Sequence, residues 1–239
     1  MITSLDNKKV KEWTKLHIKK YREDFYLLLD EDIVDIAYKC GYLKTLIYCG
    51  NKPFEFIDSY EVSEEVLYKI AKKENIKYLG IATKIKESDD YKSRVIILDE
   101  LQDPLNIGRI IDNAYQFGFD SVILSENSAD FYHEKAIEAS KGNLYKINIK
   151  RCDIAKEIEV LKNKGFKIYA TGLRNETISL TEVKKEEKMA FILGNEGSGV
   201  EEKIFDLSDE IIKIDMHNID SLNVAMAASI IMYEFNTLQ

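Results

Sequence analysis

From residue 94 onward, short apolar runs rich in β-branched residues alternate with stretches whose apolar positions recur at helical spacing. The runs 94–98, 121–124, 145–149, 167–171, 190–193 and 210–214 read as strands. Segments 107–117, 133–140, 153–164 and 199–206 read as helices between them. Strands that are apolar throughout, separated by helices, predict a parallel sheet covered on both faces. Residues 222–235 are apolar almost all round, which predicts a helix buried in a core or an interface.

The first 83 residues have a different texture. Segment 8–22 reads as a helix, 25–29 as a strand, 33–40 as a short helix ending at Gly41, 43–48 and 78–82 as strands, and Ser63 as the cap of a helix running to Glu74. This is the pattern of a small α/β domain. Residues 84–93 are charged and nearly free of aliphatic side chains, as in a linker, so the expected division is 1–83, 84–93 and 94–239.

Composition narrows the function classes. Hydrophobic residues make up 45% and charged residues 32% of 239, ordinary for a globular chain. No apolar run approaches the roughly 18–20 residues of a membrane span, and the N-terminus has no signal-peptide core, so a cytoplasmic location is expected. Cys40, Cys49 and Cys152 show no metal spacing, and His17, His133 and His217 form no triad or zinc pattern. No metal is therefore expected. A net charge of −8 argues against non-specific coating of nucleic acid, yet residues 1–22 hold seven Lys/Arg against two acids, either a solvated helical face or an RNA contact.

Three loops carry candidate chemistry. In the first, after strand 94–98, Pro104 stiffens the turn, Asn106 is placed to cap the next helix, and Gly108 implies close approach of a backbone or a ligand. The second, Leu193-Gly194-Asn195-Glu196-Gly197-Ser198-Gly199, is rich in glycine but lacks the order of a dinucleotide or P-loop cradle. Glu196 would repel a pyrophosphate, which argues against a nucleotide-dependent oxidoreductase and for a ligand that is neutral or cationic there. In the third, Ser221 is the expected cap of the last helix, and Asn223 presents an amide in its first turn.

In this order and spacing, Asp103–Gly108, Leu193–Gly199 and the stretch from Ile214 through Ser221 and Asn223 to Val224 resemble the three motifs of the SpoU (TrmH-like) branch of the SPOUT methyltransferases. The resemblance covers residues 94–239. Residues 1–83 resemble, less specifically, the small RNA-substrate-binding domain that precedes it in many members. The resemblance implies a trefoil-knotted catalytic domain, a homodimer through that domain, and S-adenosylmethionine-dependent methylation of a ribose 2′-hydroxyl of rRNA or tRNA. It places the cofactor against Thr171, Gly172, Leu193, Gly194, Asn195, Gly197, Ile214, Met216, Leu222 and Asn223, and catalysis at Asn106, Glu196, Ser221 and Asn223. The family's usual arginine four residues after the first motif's glycine is Asp112 here. Two readings of Arg109, three residues earlier on the same helix face, stay open: it supplies the missing cation, or it pairs with Asp112. The alternative to an active methyltransferase is an impaired pseudo-enzyme that binds cofactor and RNA. In the small domain, the Leu-Glu-Gly usual after the first strand is replaced by acidic residues 30–32.

Overall fold

The computed structural model describes residues 1–55, 57–174, 176–217 and 222–237. Helix α1 (Lys8–Lys15) starts where the Asn7 side chain accepts from the Lys9 amide at 2.9 Å. It ends earlier than the expected 8–22, giving way to a 3-10 turn at Lys19–Tyr21. The cause is tertiary. The Arg22 guanidinium takes the carbonyls of Leu16 and His17 at 3.1 Å each and pairs with Asp130 at 2.8 Å, while His17 bonds to Glu134 and to the Ile70 carbonyl. Groups that a continuing helix would use are thus engaged in docking the segment.

Strand β1 (Phe25–Leu28) leads to α2 (Glu31–Lys39), capped by Asp30. Next come β2 (Leu43–Tyr48), β3 (Asp58–Glu61), α3 (Glu64–Ala71) with Ser63 as its cap, and β4 (Tyr78–Thr83). The sheet order is β1-β4-β2-β3, with β4 antiparallel to β1 and β2, and β3 parallel to β2. The short polar edge strand β3 was not anticipated, because an edge facing water needs no apolar alternation.

Residues 84–93 form no helix or strand. They are nevertheless packed: Ile85 and Tyr91 are buried, the Ile85 amide donates to the Tyr132 hydroxyl at 2.9 Å, and the Tyr91 hydroxyl donates to Glu157 at 2.6 Å.

The larger unit runs β5 (Arg94–Leu98), α4 (Pro104–Gln116), β6 (Ser121–Ser125), α5 (Glu134–Ala139), β7 (Asn148–Cys152), α6 (Ile154–Asn163), β8 (Lys167–Thr171), β9 (Ile178–Ser179), β10 (Met189–Leu193), α7 (Glu202–Leu207), β11 (Glu210–Lys213) and α8 (Val224–Glu234). Its seven strands lie in the order β7-β6-β5-β10-β8-β11-β9, every pair parallel. Strands β5, β6 and β10 are buried along their whole length, as their unbroken apolar composition predicts. The strand expected at 145–149 begins only at Asn148. Tyr145 sits in a 3-10 turn (Asn143–Tyr145), where its ring stacks on Tyr42 at 5.0 Å and its hydroxyl shares a 2.7 Å hydrogen bond with Tyr26. The helix expected at 199–206 begins at Glu202, because Gly199 turns back to bond Asn195.

One hydrophobic core joins the two sheets, running from Tyr26, Leu28 and Leu46 through Tyr132 and Leu144 to Ile96 and Phe191. Arg94 is buried where β5 begins, its Nε donating to the Phe235 carbonyl at 2.9 Å and its Nη1 to the Glu187 carbonyl at 2.7 Å. No helix among the described residues is long and apolar enough to cross a membrane.

Candidate active site

Because β5, β8, β10 and β11 are parallel, the loops after Leu98, Thr171, Leu193 and Lys213 gather at one edge of the sheet, where ligands of such sheets bind. The loop after β10 is closed on itself: Asn195 and Gly199 exchange backbone hydrogen bonds at 3.0 and 2.9 Å. Within it, the Asn195 side chain accepts from the Gly197 amide at 2.8 Å and donates to the Glu100 carbonyl at 2.9 Å, fastening the loop to the one after β5. Gly194 is required sterically. A Cβ there would lie 2.1 Å from the Gly199 carbonyl carbon and the Val200 nitrogen. Asp99 sits behind the loop, accepting from the Glu201 amide at 3.0 Å; burial, only partly offset by that hydrogen bond, pushes its carboxyl above the usual range.

These loops and α8 enclose a cavity of about 380 Å³. The structure brings Thr171, Gly172, Leu193, Gly194, Asn195, Gly197, Ile214, Met216 and Leu222 together around it, with Glu196. Thr171 is held by its hydroxyl on the Ile192 carbonyl at 3.0 Å, and Gly172 by its amide on the Ile212 carbonyl at 3.0 Å. Five apolar lining groups went unread in the sequence: Leu173, Ile212, Val224, Ala227 and Ile231. The last three share one face of α8 at helical spacing, so a closer reading of that helix would have found them. Ser221 lies outside the described residues. Asn223 does not line this cavity; it stands at a second one, of about 460 Å³, with Arg109, Asp112, Asn113, Lys141 and Ser229.

A polar bridge separates the two cavities. Asn106, buried at 4% exposure, donates from its amide nitrogen to Glu196 Oε1 at 2.9 Å and accepts from the Asn223 amide at 3.3 Å. Asn106 is free to do this because it does not cap α4. Asp103 is the cap, accepting from the Leu105 amide at 3.0 Å, with Pro104 in the first turn. Likewise Asn223 itself caps α8, its oxygen accepting from the Ala225 and Met226 amides at 3.0 and 3.4 Å, which leaves its nitrogen for Asn106. Gly108 turns out to serve helix packing: a Cβ there would meet the Ala136 carbonyl oxygen of α5 at 2.3 Å.

The pairing of Arg109 with Asp112 does not occur. Asp112 is buried and accepts from Gln116 at 2.9 Å, Asn143 at 2.8 Å and Lys141 at 2.9 Å. Arg109 is exposed and makes no ion pair or hydrogen bond among the described residues. Nor do these residues hold a group of three or more His, Cys, Asp or Glu arranged for a metal ion.

An apolar cavity lined by the Glu196 carboxylate thus lies beside a polar cavity lined by two cations, Arg109 and Lys141. Among known proteins, the sequence pattern described as "SpoU rRNA Methylase family" matches residues 93–233. The chain belongs to this family. Among SpoU relatives, the 23S rRNA (guanosine(2553)-2′-O)-methyltransferase RlmP of Bacillus subtilis is 31% identical over 97% of each chain. The AdoMet-bound rRNA methyltransferase of Sinorhizobium meliloti superposes with a TM-score of 0.89 at 25% identity, covering 98% of this chain and 95% of that one. The fold is also that of the SpoU methyltransferase AviRb of Streptomyces viridochromogenes, with a TM-score of 0.83 at 20% identity and coverage of 95% and 97%.

Proposed function

We propose that this chain is an S-adenosylmethionine-dependent methyltransferase that modifies a ribose 2′-hydroxyl of ribosomal RNA. The observation that carries the reading is the Asn106–Glu196–Asn223 bridge at the mouth of the apolar cavity. The cavity residues fit the cofactor: a loop of glycines admits close backbone approach, apolar Leu193, Ile212 and Ile231 form its floor, and Glu196 complements positive charge. Thr171, Gly172, Leu193–Gly197, Ile214, Met216 and Leu222 would hold it. When bound it supplies a methyl group on positively charged sulfur, an already activated donor that needs no metal.

The protein's own task is alignment and proton removal. Asn106 fixes one oxygen of Glu196, leaving the other to accept the hydroxyl proton as the 2′-oxygen gains the methyl. Asn223 holds Asn106 in that orientation and faces the second cavity, which takes the ribose. Arg109, with no donor used among the described residues, serves the RNA phosphate rather than Asp112. The pseudo-enzyme alternative loses its motive, since Asp112 is a packed acceptor with three donors of its own and not a bare charge facing RNA.

We infer a trefoil knot in the C-terminal part, supported by the insertion of β10 between β5 and β8 and by the return of α8 against α4. A homodimer is supported by an apolar strip on those helices, where Met226 is 61% and Tyr233 68% exposed beside Tyr115 and Ile230. Residues 1–83 act as the RNA-binding domain: Tyr21, 40% exposed, is flanked by the ammonium groups of Lys15 and Lys20 at 5.6 and 4.9 Å, a surface suited to stacked bases and phosphates. The site of action is cytoplasmic.

Transfer of labelled methyl from S-adenosylmethionine to an unmodified 23S rRNA transcript tests the activity, with ribose methylation read by protection from alkaline cleavage. Asn106→Ala and Glu196→Gln should each lower kcat by at least about 100-fold, while cofactor binding in Asn106→Ala changes less than about five-fold. A wild-type dimer that binds cofactor yet methylates no rRNA would refute the reading.

A further inference from the structure

We infer that Asp112 is a positioning residue that aims Lys141 into the second cavity, so that Lys141 and Arg109 together grip the phosphodiester on the 3′ side of the acceptor ribose. The inference rests on the methyltransferase reading of the site and concerns how its RNA is held.

The two cations of the second cavity carry unused donors. A lysine ammonium has three N–H groups and a guanidinium five. Lys141 directs one toward Asp112 Oδ2 at 2.9 Å, and its side chain stays 70% exposed, leaving two donors for a ligand. Arg109 uses none of its five among the described residues. By contrast the other polar groups of the cavity satisfy one another: Asn113 donates to Ser229 at 2.7 Å, Ser229 donates to the Ala225 carbonyl at 2.6 Å, and Asn223 donates to Asn106. Anion recognition in this cavity therefore falls to its two cations.

Lys141 is held there deliberately by the fold. It follows α5 with φ of +49°, a left-handed conformation rarely adopted by lysine, and Gly142 continues the reversal at +75°. This turn brings the side chain back toward α4. The carboxylate that meets it is itself immobilised, with Asp112 buried and its other oxygen receiving Gln116 and Asn143. An exposed lysine normally samples many rotamers; this one is tethered at the rim of a cavity about 460 Å³ in volume.

The spacing suits one nucleotide. Arg109 lies three residues beyond Asn106, about 4.5 Å along the helix axis. In RNA the 2′-hydroxyl and the 3′-phosphate sit on adjacent ribose carbons. A 2′-oxygen at the Asn106 bridge thus brings its own 3′-phosphate to the turn that carries Arg109, with Lys141 on the facing wall.

The test uses the full chain and an unmodified 23S rRNA transcript, measuring KM, kcat and the salt dependence of binding, with S-adenosylmethionine affinity as a control for the first cavity. Lys141→Gln should raise KM for RNA about ten-fold, the effect of one lost charge-assisted hydrogen bond, and reduce the salt slope by about 0.7–0.9. Cofactor affinity and kcat should stay within about two-fold, and Lys141→Arg should restore KM. Asp112→Asn separates positioning from simple charge. If Asp112 only repels RNA, its neutralisation lowers KM; if it aims Lys141, KM rises although a negative charge has gone. An unchanged KM in Lys141→Gln, or a lowered KM in Asp112→Asn, overturns the inference. So does wild-type protein that binds cofactor but neither binds nor methylates the transcript, an outcome that removes the underlying reading and is visible without any variant.

Discussion

Replacing Gly108 by alanine sets two opposed effects against each other. In the middle of a helix the change should stabilise by about 1 kcal/mol through backbone entropy alone. Here the added methyl carbon would stand 2.3 Å from the Ala136 carbonyl oxygen, 2.7 Å from the Ala139 Cβ and 2.9 Å from the Ala136 carbonyl carbon. Two of these atoms are backbone, so no rotamer change relieves them, and α5 must move as a body. Overpacking of this kind costs about 1–3 kcal/mol, and the severity of the overlap puts Gly108→Ala at the upper end. The net expectation is destabilisation by about 1–2 kcal/mol, or a fall in Tm of about 2–8 °C for a chain of this size. Ala139→Gly in the same background removes only one of the three contacts and should recover less than half of the loss. Urea and thermal unfolding of the three proteins read this directly. A Tm equal to or above wild type would show that helix propensity wins, and that close approach of α4 and α5 is not why glycine stands there.

Gly194→Ala should weaken S-adenosylmethionine binding by more than about 100-fold, because its Cβ would overlap Gly199 and Val200 and prevent the loop from closing; calorimetric affinity within ten-fold of wild type would contradict this. The Cys152 thiol is pushed up to about 12, mainly by burial and then by Glu157, so it should resist alkylation by iodoacetamide at about pH 8 while exposed Cys40 reacts; mass spectrometry showing equal rates would refute it. Burial opposes ionisation of Glu134, but the hydrogen bond and charge of His17 outweigh it and hold the carboxyl below the usual 4.5. A depressed carboxyl pKa stabilises above its unfolded value, and this is lost as pH falls through the folded one. Wild type should therefore lose more stability than Glu134→Gln between about pH 5 and pH 3, and parallel urea midpoints would dismiss the pair as a contributor.

The parallel sheet was legible because β5, β6 and β10 are buried throughout, and β8 in its central three residues, and their composition says so. Strand β9, two residues long, and polar β3 carry too little pattern to be seen. The gathering of the glycine-rich loop with Thr171, Ile214 and Leu222 follows from parallel strand order, so most of the cavity could be anticipated. The errors have a common origin in side chains whose partners are remote in sequence. Tyr145 looked like strand because its use by Tyr26 and Tyr42 is invisible locally. Asn106 resembled a cap because a capping amide and a bridging amide are the same residue type. Asp112 looked like a missing function because its partner Lys141 is a full loop and helix away.

The hydrogen bond from Arg94 to the Phe235 carbonyl spans 141 positions of chain. A guanidinium buried without its acceptors is strongly unfavourable, so the first strand of the large sheet stays incompletely satisfied until the last turn of α8 arrives. Contacts this remote in sequence slow folding, and the bond between Arg94 and Phe235 forms only once α8 has docked beside β5. Without that turn Arg94 Nε would lose its acceptor, while Nη1 would keep the carbonyls of Ser93 and Glu187.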